Sequence, residues 1–85
     1  MAKIALDPNS QIDVLYNLGR RIALRRQQLG LTQLRLGFLS DTTQSYISDL
    51  EVGRRNPSII LLERIAKALK WSLSELLDGV DVIKQ

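Results

Sequence analysis

Between Thr32 and Pro57 the chain carries two short helical patterns with almost nothing between them. Thr32 stands where an N-cap belongs, ahead of a helix running to about Leu39, and Thr43 stands in the same relation to a helix over Gln44 to Glu51. Only Ser40, Asp41 and Thr42 are left for the turn. Helices shorter than about 12 residues are marginal in isolation, so both must be held by the rest of the chain. Leu36 and Leu39 are expected to face the core, and Gly37 to let another backbone approach closely. In the following helix Ile47, Leu50 and Glu51 share one face, whereas Gln44, Ser45, Ser48 and Asp49 share the other, which is short, polar and rich in hydrogen-bonding groups.

The flanking sequence supplies the support. Ile12, Leu15, Tyr16, Gly19, Ile22, Arg26 and Leu29 recur at helical spacing, predicting a first helix from about Ile12 to Leu29 with Ser10 as its N-cap and Gly30 as its stop. Arg26 falls on the apolar stripe and needs a counterion there, while Arg20, Arg21 and Arg25 lie off it. Beyond Gly53 and Asn56-Pro57, Ser58 caps a fourth helix to about Lys70, with Leu62, Ile65, Ala66 and Leu69 inward. Ser72 and Glu75 form a capping box for a fifth helix through Leu77. No strand-period segment or repeat interrupts the pattern. The fold class is therefore all-α, with a five-helix domain over residues 12–78, an N-terminal extension over 1–11 and a tail over 79–85.

A chain of 85 residues has room for one small core, and without Cys or His it offers neither zinc ligands nor disulfides nor an imidazole base. Ser, Thr, Asp and Glu have capping or packing explanations, so no enzyme, metal or cofactor is expected. No apolar run reaches membrane-spanning length and no signal peptide is recognisable, which makes the expected compartment the cytoplasm. The net charge of +3 says less than its distribution. From Arg20 to Arg55 seven arginines face three carboxylates, while the tail from Trp71 onward is acidic. Such a run is either a solvated helix face or a surface for phosphate, to which arginine's bidentate geometry is suited. Two helices joined by a tight turn and followed by a basic loop are also the arrangement that offers one helix to the major groove of DNA.

The chain resembles the lambda-repressor-like helix-turn-helix domain, also called the Cro/C1 or xenobiotic-response-element type. The resemblance extends over Leu18 to Leu77 through Leu18-Gly19-Arg20-Arg21-Ile22, Gly30-Leu31-Thr32-Gln33, Tyr46-Ile47-Ser48, Glu51, Gly53-Arg54-Arg55-Asn56-Pro57-Ser58, Ile65-Ala66-Lys67-Ala68-Leu69 and Ser72-Leu73-Ser74-Glu75-Leu76-Leu77. It implies that Gln33 and the amides around it meet a DNA phosphate, that Gln44 and Ser45 reach base edges with Ser48 and Asp49 one turn on, and that Thr43, Tyr46, Arg54 and Arg55 lie near the backbone. It also implies a structural ion pair between Arg26 and Glu51. Three positions depart from the family pattern. Asp41 replaces a turn glycine, Arg25 stands where leucine is usual, and Gly37 replaces alanine at a cost of about 1 kcal/mol in local helix stability.

The expected function is that of a sequence-specific DNA-binding transcriptional regulator, acting as a homodimer on a roughly palindromic operator. Stand-alone members of this kind include restriction-modification controller proteins and phage-type repressors. The expected partners are double-stranded DNA and a second copy of the chain, with no membrane and no small-molecule ligand. Ile60 lies off the buried stripe of the fourth helix, so Ile60 and Leu61 with Val80, Val82 and Ile83 form a candidate dimer patch. The alternative is an antitoxin or other protein-interaction module on the same fold, favoured by Asp49, a carboxylate on the face that would meet phosphates.

Overall fold

The computed structural model describes residues 8–82, apart from the side chains of residues 8–13. Five helices follow one another: α1 (Pro8–Gln28), α2 (Gln33–Leu39), α3 (Gln44–Glu51), α4 (Ile59–Ala68) and α5 (Leu73–Leu77), with no strand among the described residues. The start of α1 differs from the sequence expectation. Pro8 occupies its first position, where proline's fixed φ suits a helix and its missing N–H is not needed, so Ser10 lies inside the helix and does not cap it. The other caps are as expected. Thr32, Thr43, Ser58 and Ser72 each accept from the backbone N–H three residues on, and Glu75 completes the capping box. The Ser72 backbone N–H donates to the Glu75 carboxylate at 3.0 Å, which holds that carboxyl below the usual glutamate range.

Four helices end in one way. Gly30, Asp41, Gly53 and Lys70 all have φ between 59° and 81°, and in each case the next residue's N–H returns to a carbonyl five positions back: Leu31 to Arg26, Thr42 to Gly37, Arg54 to Asp49 and Trp71 to Ala66. This 6→1 closure reverses the chain abruptly and satisfies carbonyls the helix leaves open. Asp41 takes the left-handed conformation that its place in the turn demanded. Lys70 does so as well, with no composition signal to announce it.

Leu18 and Ile22 of α1, Leu36 of α2, Ile47 and Leu50 of α3, Leu62, Ile65 and Ala66 of α4, Leu69 just beyond it, Leu76 of α5 and Val80 make one core. Among the residues expected inward, Leu15 is not packed against this core, where Val14 stands instead, Tyr16 and Leu39 are exposed, and the Ile12 side chain lies outside the described residues. Tyr16 is 53% exposed because the loop after α3 packs on its backbone, with Gly53 against the Tyr16 Cα and N. Leu39 is 42% exposed because Ser40, one turn beyond Leu36, takes the inward place. The buried Ser40 hydroxyl donates to the Leu36 carbonyl, and its own carbonyl accepts from Arg64 Nε at 2.9 Å.

Two of the off-stripe arginines are clamps. Arg21 Nε and Nη2 donate to the carbonyls of Glu75 and Leu76 at 2.8–3.1 Å, and Arg25 Nε donates to the Leu69 carbonyl at 3.0 Å. Both guanidinium groups lie over the Trp71 ring, 4.5 and 4.8 Å from its centroid. They therefore bind α1 to the C-terminal carbonyls of α4 and α5, where cations are favoured. This explains Arg25 in place of leucine: the neighbouring Leu24 is half exposed, and the arginine stem packs inward with its head on a carbonyl. Arg20 alone of the three remains a solvated residue.

The ion pair joins three helices. Glu51 is 7% exposed and accepts from Arg26 Nε at 2.7 Å, Arg26 Nη2 at 3.0 Å and Gln33 Nε2 at 3.0 Å, while Arg26 Nη1 donates to the Leu31 carbonyl at 2.9 Å. Hydrogen bonding to Glu51 raises the Arg26 pKa further, against the opposing effect of burial. Removing the carboxylate leaves a guanidinium without its counterion, so Glu51→Ala is expected to cost about 3–5 kcal/mol of stability. Urea denaturation monitored by circular dichroism checks this, and an unchanged midpoint would contradict it.

Backbone proximity also sets where α3 lies. A Cβ on Gly19 would stand 2.4–2.8 Å from the backbone of Leu50 and Glu51, and one on Gly37 would stand 2.9–3.1 Å from that of Thr43 and Gln44. At Gly19 the obstructing atoms are main chain and cannot rotate aside. Gly19→Ala is accordingly expected to destabilise the domain by about 1–3 kcal/mol, lowering the melting midpoint by roughly 4 °C or more. Differential scanning calorimetry reads this directly.

Candidate nucleic-acid interface

The start of α3 is the most open part of the helix pair. Thr43 Oγ1 accepts from the Tyr46 N–H at 3.0 Å, leaving the amides of Gln44 and Ser45 at the helix N-terminus without that partner. Gln44, Ser45 and Ser48 are exposed, while Ile47, Leu50 and Glu51 are buried behind them. The helix thus turns its neutral hydrogen-bonding side chains outward and sinks one of its two carboxylates into the core. Gly37 brings the turn of backbone before α3 directly against α2, which fixes the N-terminus of α3 on its neighbour.

Gln33, at the first position of α2, is half-buried and has one Nε2 proton committed to Glu51. Its remaining N–H and the amides of the first turn are what it can offer an anion. Thr32 Oγ1 accepts from the Arg35 N–H at 3.0 Å, repeating the cap seen at α3.

The basic loop after α3 returns to the same face. Arg54 is exposed and forms no ion pair among the described residues. Arg55 folds back so that its Nη2 lies 3.4 Å from Asp49 Oδ2 and its guanidinium 5.1 Å from the centroid of the half-buried Tyr46 ring. Asp49 is therefore partnered by a cation. No local sequence signal could have found this contact: the two residues are six apart, and they meet only because the chain reverses at Gly53.

The candidate dimer patch is smaller than the sequence suggested. Ile60 is 61% exposed on α4, as expected, and Ile59 beside it is 57% exposed. Leu61 is half-buried against the core. Val80 does not belong to the patch: it is 8% exposed within the core, anchored by Asn17 Nδ2 donating to its carbonyl at 3.0 Å. Val82 is exposed but lines a shallow groove along α1 with Tyr16, Arg20 and Leu24. Ile83 lies outside the described residues. Val80 and Val82 depart from the α4 surface because the chain turns at Gly79 and comes back against α1.

Among the described residues no group of His, Cys, Asp or Glu could hold a metal ion, and no helix is long and apolar enough to cross a membrane.

Comparison with known proteins agrees with this arrangement. A HTH-type transcriptional regulator of Sinorhizobium fredii, y4dJ, is 40% identical over 70 residues, covering 82% of this chain and 91% of that protein. The control protein C.BamHI of Bacillus amyloliquefaciens is 40% identical over 55 residues, 65% of this chain and 68% of its own length. Among solved structures, the restriction-modification controller protein C.AhdI from Aeromonas hydrophila superposes with a TM-score of 0.71 at 37% identity, covering 73% of this chain and 94% of that one. With the Helix-turn-helix family model matching residues 22–76, from the middle of α1 to α5, the chain belongs to the helix-turn-helix family and its fold is that of the lambda-repressor-like domains.

Proposed function

We propose that this chain is a sequence-specific transcriptional regulator that works in the cytoplasm as a homodimer on a roughly palindromic operator, with α3 in the major groove. The observation that carries the reading is the outward face of α3: Gln44, Ser45 and Ser48 exposed at the open end of a capped helix whose Glu51 is sequestered by Arg26. Gln44 matches adenine N6 and N7 in bidentate fashion, and Ser45 and Ser48 are permissive donors and acceptors. Gln33, Thr43, Tyr46, Arg54 and Arg55 flank that face and hold the backbone. Relatives named as control proteins and as repressors support a stand-alone controller or phage-type repressor. Against the protein-interaction alternative stands the Arg55 guanidinium beside Asp49, which offsets the charge that favoured it.

Sequence preference is tested by selecting bound duplexes from a random pool and measuring affinity by anisotropy across salt. Arg54→Ala is expected to weaken cognate and scrambled duplexes alike and to flatten the salt slope by about one unit per lost phosphate contact in each half-site. Gln44→Ala should instead cost about 1–3 kcal/mol on the selected duplex and far less on scrambled ones. Equal losses on both would remove Gln44 from base reading.

Dimerisation rests on α4. One recognition helix reaches few bases, whereas two held about 34 Å apart read both half-sites from one side of the duplex. Ile59 and Ile60 form the exposed apolar step on which a two-fold contact can close. Ile60→Asp should give folded monomers with sharply reduced operator affinity. Analytical ultracentrifugation decides this, and an intact dimer would move the interface elsewhere.

A further inference from the structure

The contact between Arg55 and Asp49 lies on the surface that the preceding reading assigns to DNA, and it joins two groups with opposite preferences there. Arg55 is a phosphate ligand by chemistry, whereas Asp49 is repelled by phosphate and by the acceptor atoms of guanine and thymine. Their nearest N and O atoms are 3.4 Å apart, and their side chains retain 50% and 34% exposure. Exposed ion pairs of this kind contribute little to stability, so the contact opens readily when either partner finds something better. The Tyr46 ring under the guanidinium, 5.1 Å from centroid to Cζ, gives Arg55 a defined resting place beside the carboxylate. Asp49 lies one helical turn beyond Ser45, on the groove-facing side of α3, and its backbone carbonyl accepts from the Arg54 N–H at 2.9 Å. The Asp49 backbone is thereby bonded to the base of the arginine loop.

We propose that Asp49 is a specificity-determining positioning residue, which withholds Arg55 from DNA unless the base edge within its reach carries an amino group, as cytosine and adenine do and guanine and thymine do not. With an amino group such as cytosine N4 in reach, the carboxylate accepts a hydrogen bond from the base and releases Arg55 to a phosphate. Opposite acceptor-only edges Asp49 has no partner but Arg55, so the ion pair persists and the phosphate contact is lost. The backbone contact becomes conditional on a base. This rests on the DNA-binding reading and adds a coupling to it.

The test uses the full chain, a duplex selected from a random pool and a scrambled duplex of equal length. Asp49→Asn removes the charge without changing the shape. It is expected to strengthen binding to the scrambled duplex about tenfold and to steepen its salt slope by roughly one unit per half-site, as an added phosphate contact requires. Affinity for the selected duplex should not rise, so the ratio of the two affinities falls. In an Arg55→Ala background the same substitution should leave the scrambled-duplex salt slope unchanged. An unaltered affinity ratio for Asp49→Asn overturns the proposal. A gain in slope that survives Arg55→Ala also overturns it, since Asp49 would then act by direct repulsion. A wild-type chain that selects no sequence and binds no duplex instead overturns the DNA reading itself, which separates the two failures.

Discussion

The Glu51 carboxylate is the junction on which this small domain depends. It is reached by Arg26 near the end of α1 and by Gln33 at the start of α2, and it sits at the end of α3, so one buried anion fixes the relative placement of the three helices that form the candidate interface. Arg26 also donates to the Leu31 carbonyl, tying the turn between α1 and α2 to the same group. A buried ion pair gains little net stability over apolar side chains of the same shape, but losing one partner is costly. Here it has a further consequence. The carboxylate is drawn inward, away from the surface where phosphate would approach.

Around that junction, the direction of each helix follows from how its predecessor ends. The same 6→1 closure follows α1, α2, α3 and α4, and it reverses the chain in few residues. The reversal after α2 brings Thr43 against Gly37, and the reversal after α3 returns Arg55 to Asp49 and Tyr46. On the far side, Arg21 and Arg25 grip the carbonyl ends of α5 and α4 across Trp71, so the support for α1 comes from polar clamps as well as from the apolar core. Much of the domain's arginine is thus structural. Arg54 and Arg55, in the loop after α3, are left exposed on the candidate interface.

The starts of α2 to α5 and the inward stripe of α4 were legible in the residue pattern because caps and apolar periodicity are local. Thr32, Thr43, Ser58 and Ser72 each cap the helix that follows them, and family resemblance alone pairs Arg26 with Glu51, which meet at 2.7 Å. What the pattern could not show depends on where the chain returns to itself. Tyr16 and Leu39 fit the inward spacing but lost their places to backbone packing at Gly53 and to Ser40. Val80 read as an exposed tail residue, yet the turn at Gly79 delivers it to the core. The roles of Arg21 and Arg25 were hidden for the same reason: their acceptors are carbonyl oxygens 44 to 55 residues away, and a backbone acceptor leaves no mark in the sequence.

We propose that the outward side of α3, supported from behind by Arg26 and Glu51, is the surface that meets duplex DNA. Titrating the isotopically labelled chain with a duplex selected from a random pool, and following its amide resonances, tests that claim residue by residue. The largest shifts are expected on Gln33, on Thr43 to Asp49 and on Gly53 to Arg55, with α5 and Val80 little changed. Shifts confined to the exposed flank of α2 around Phe38 or to Ile59 and Ile60 on α4, with α3 silent, would contradict it.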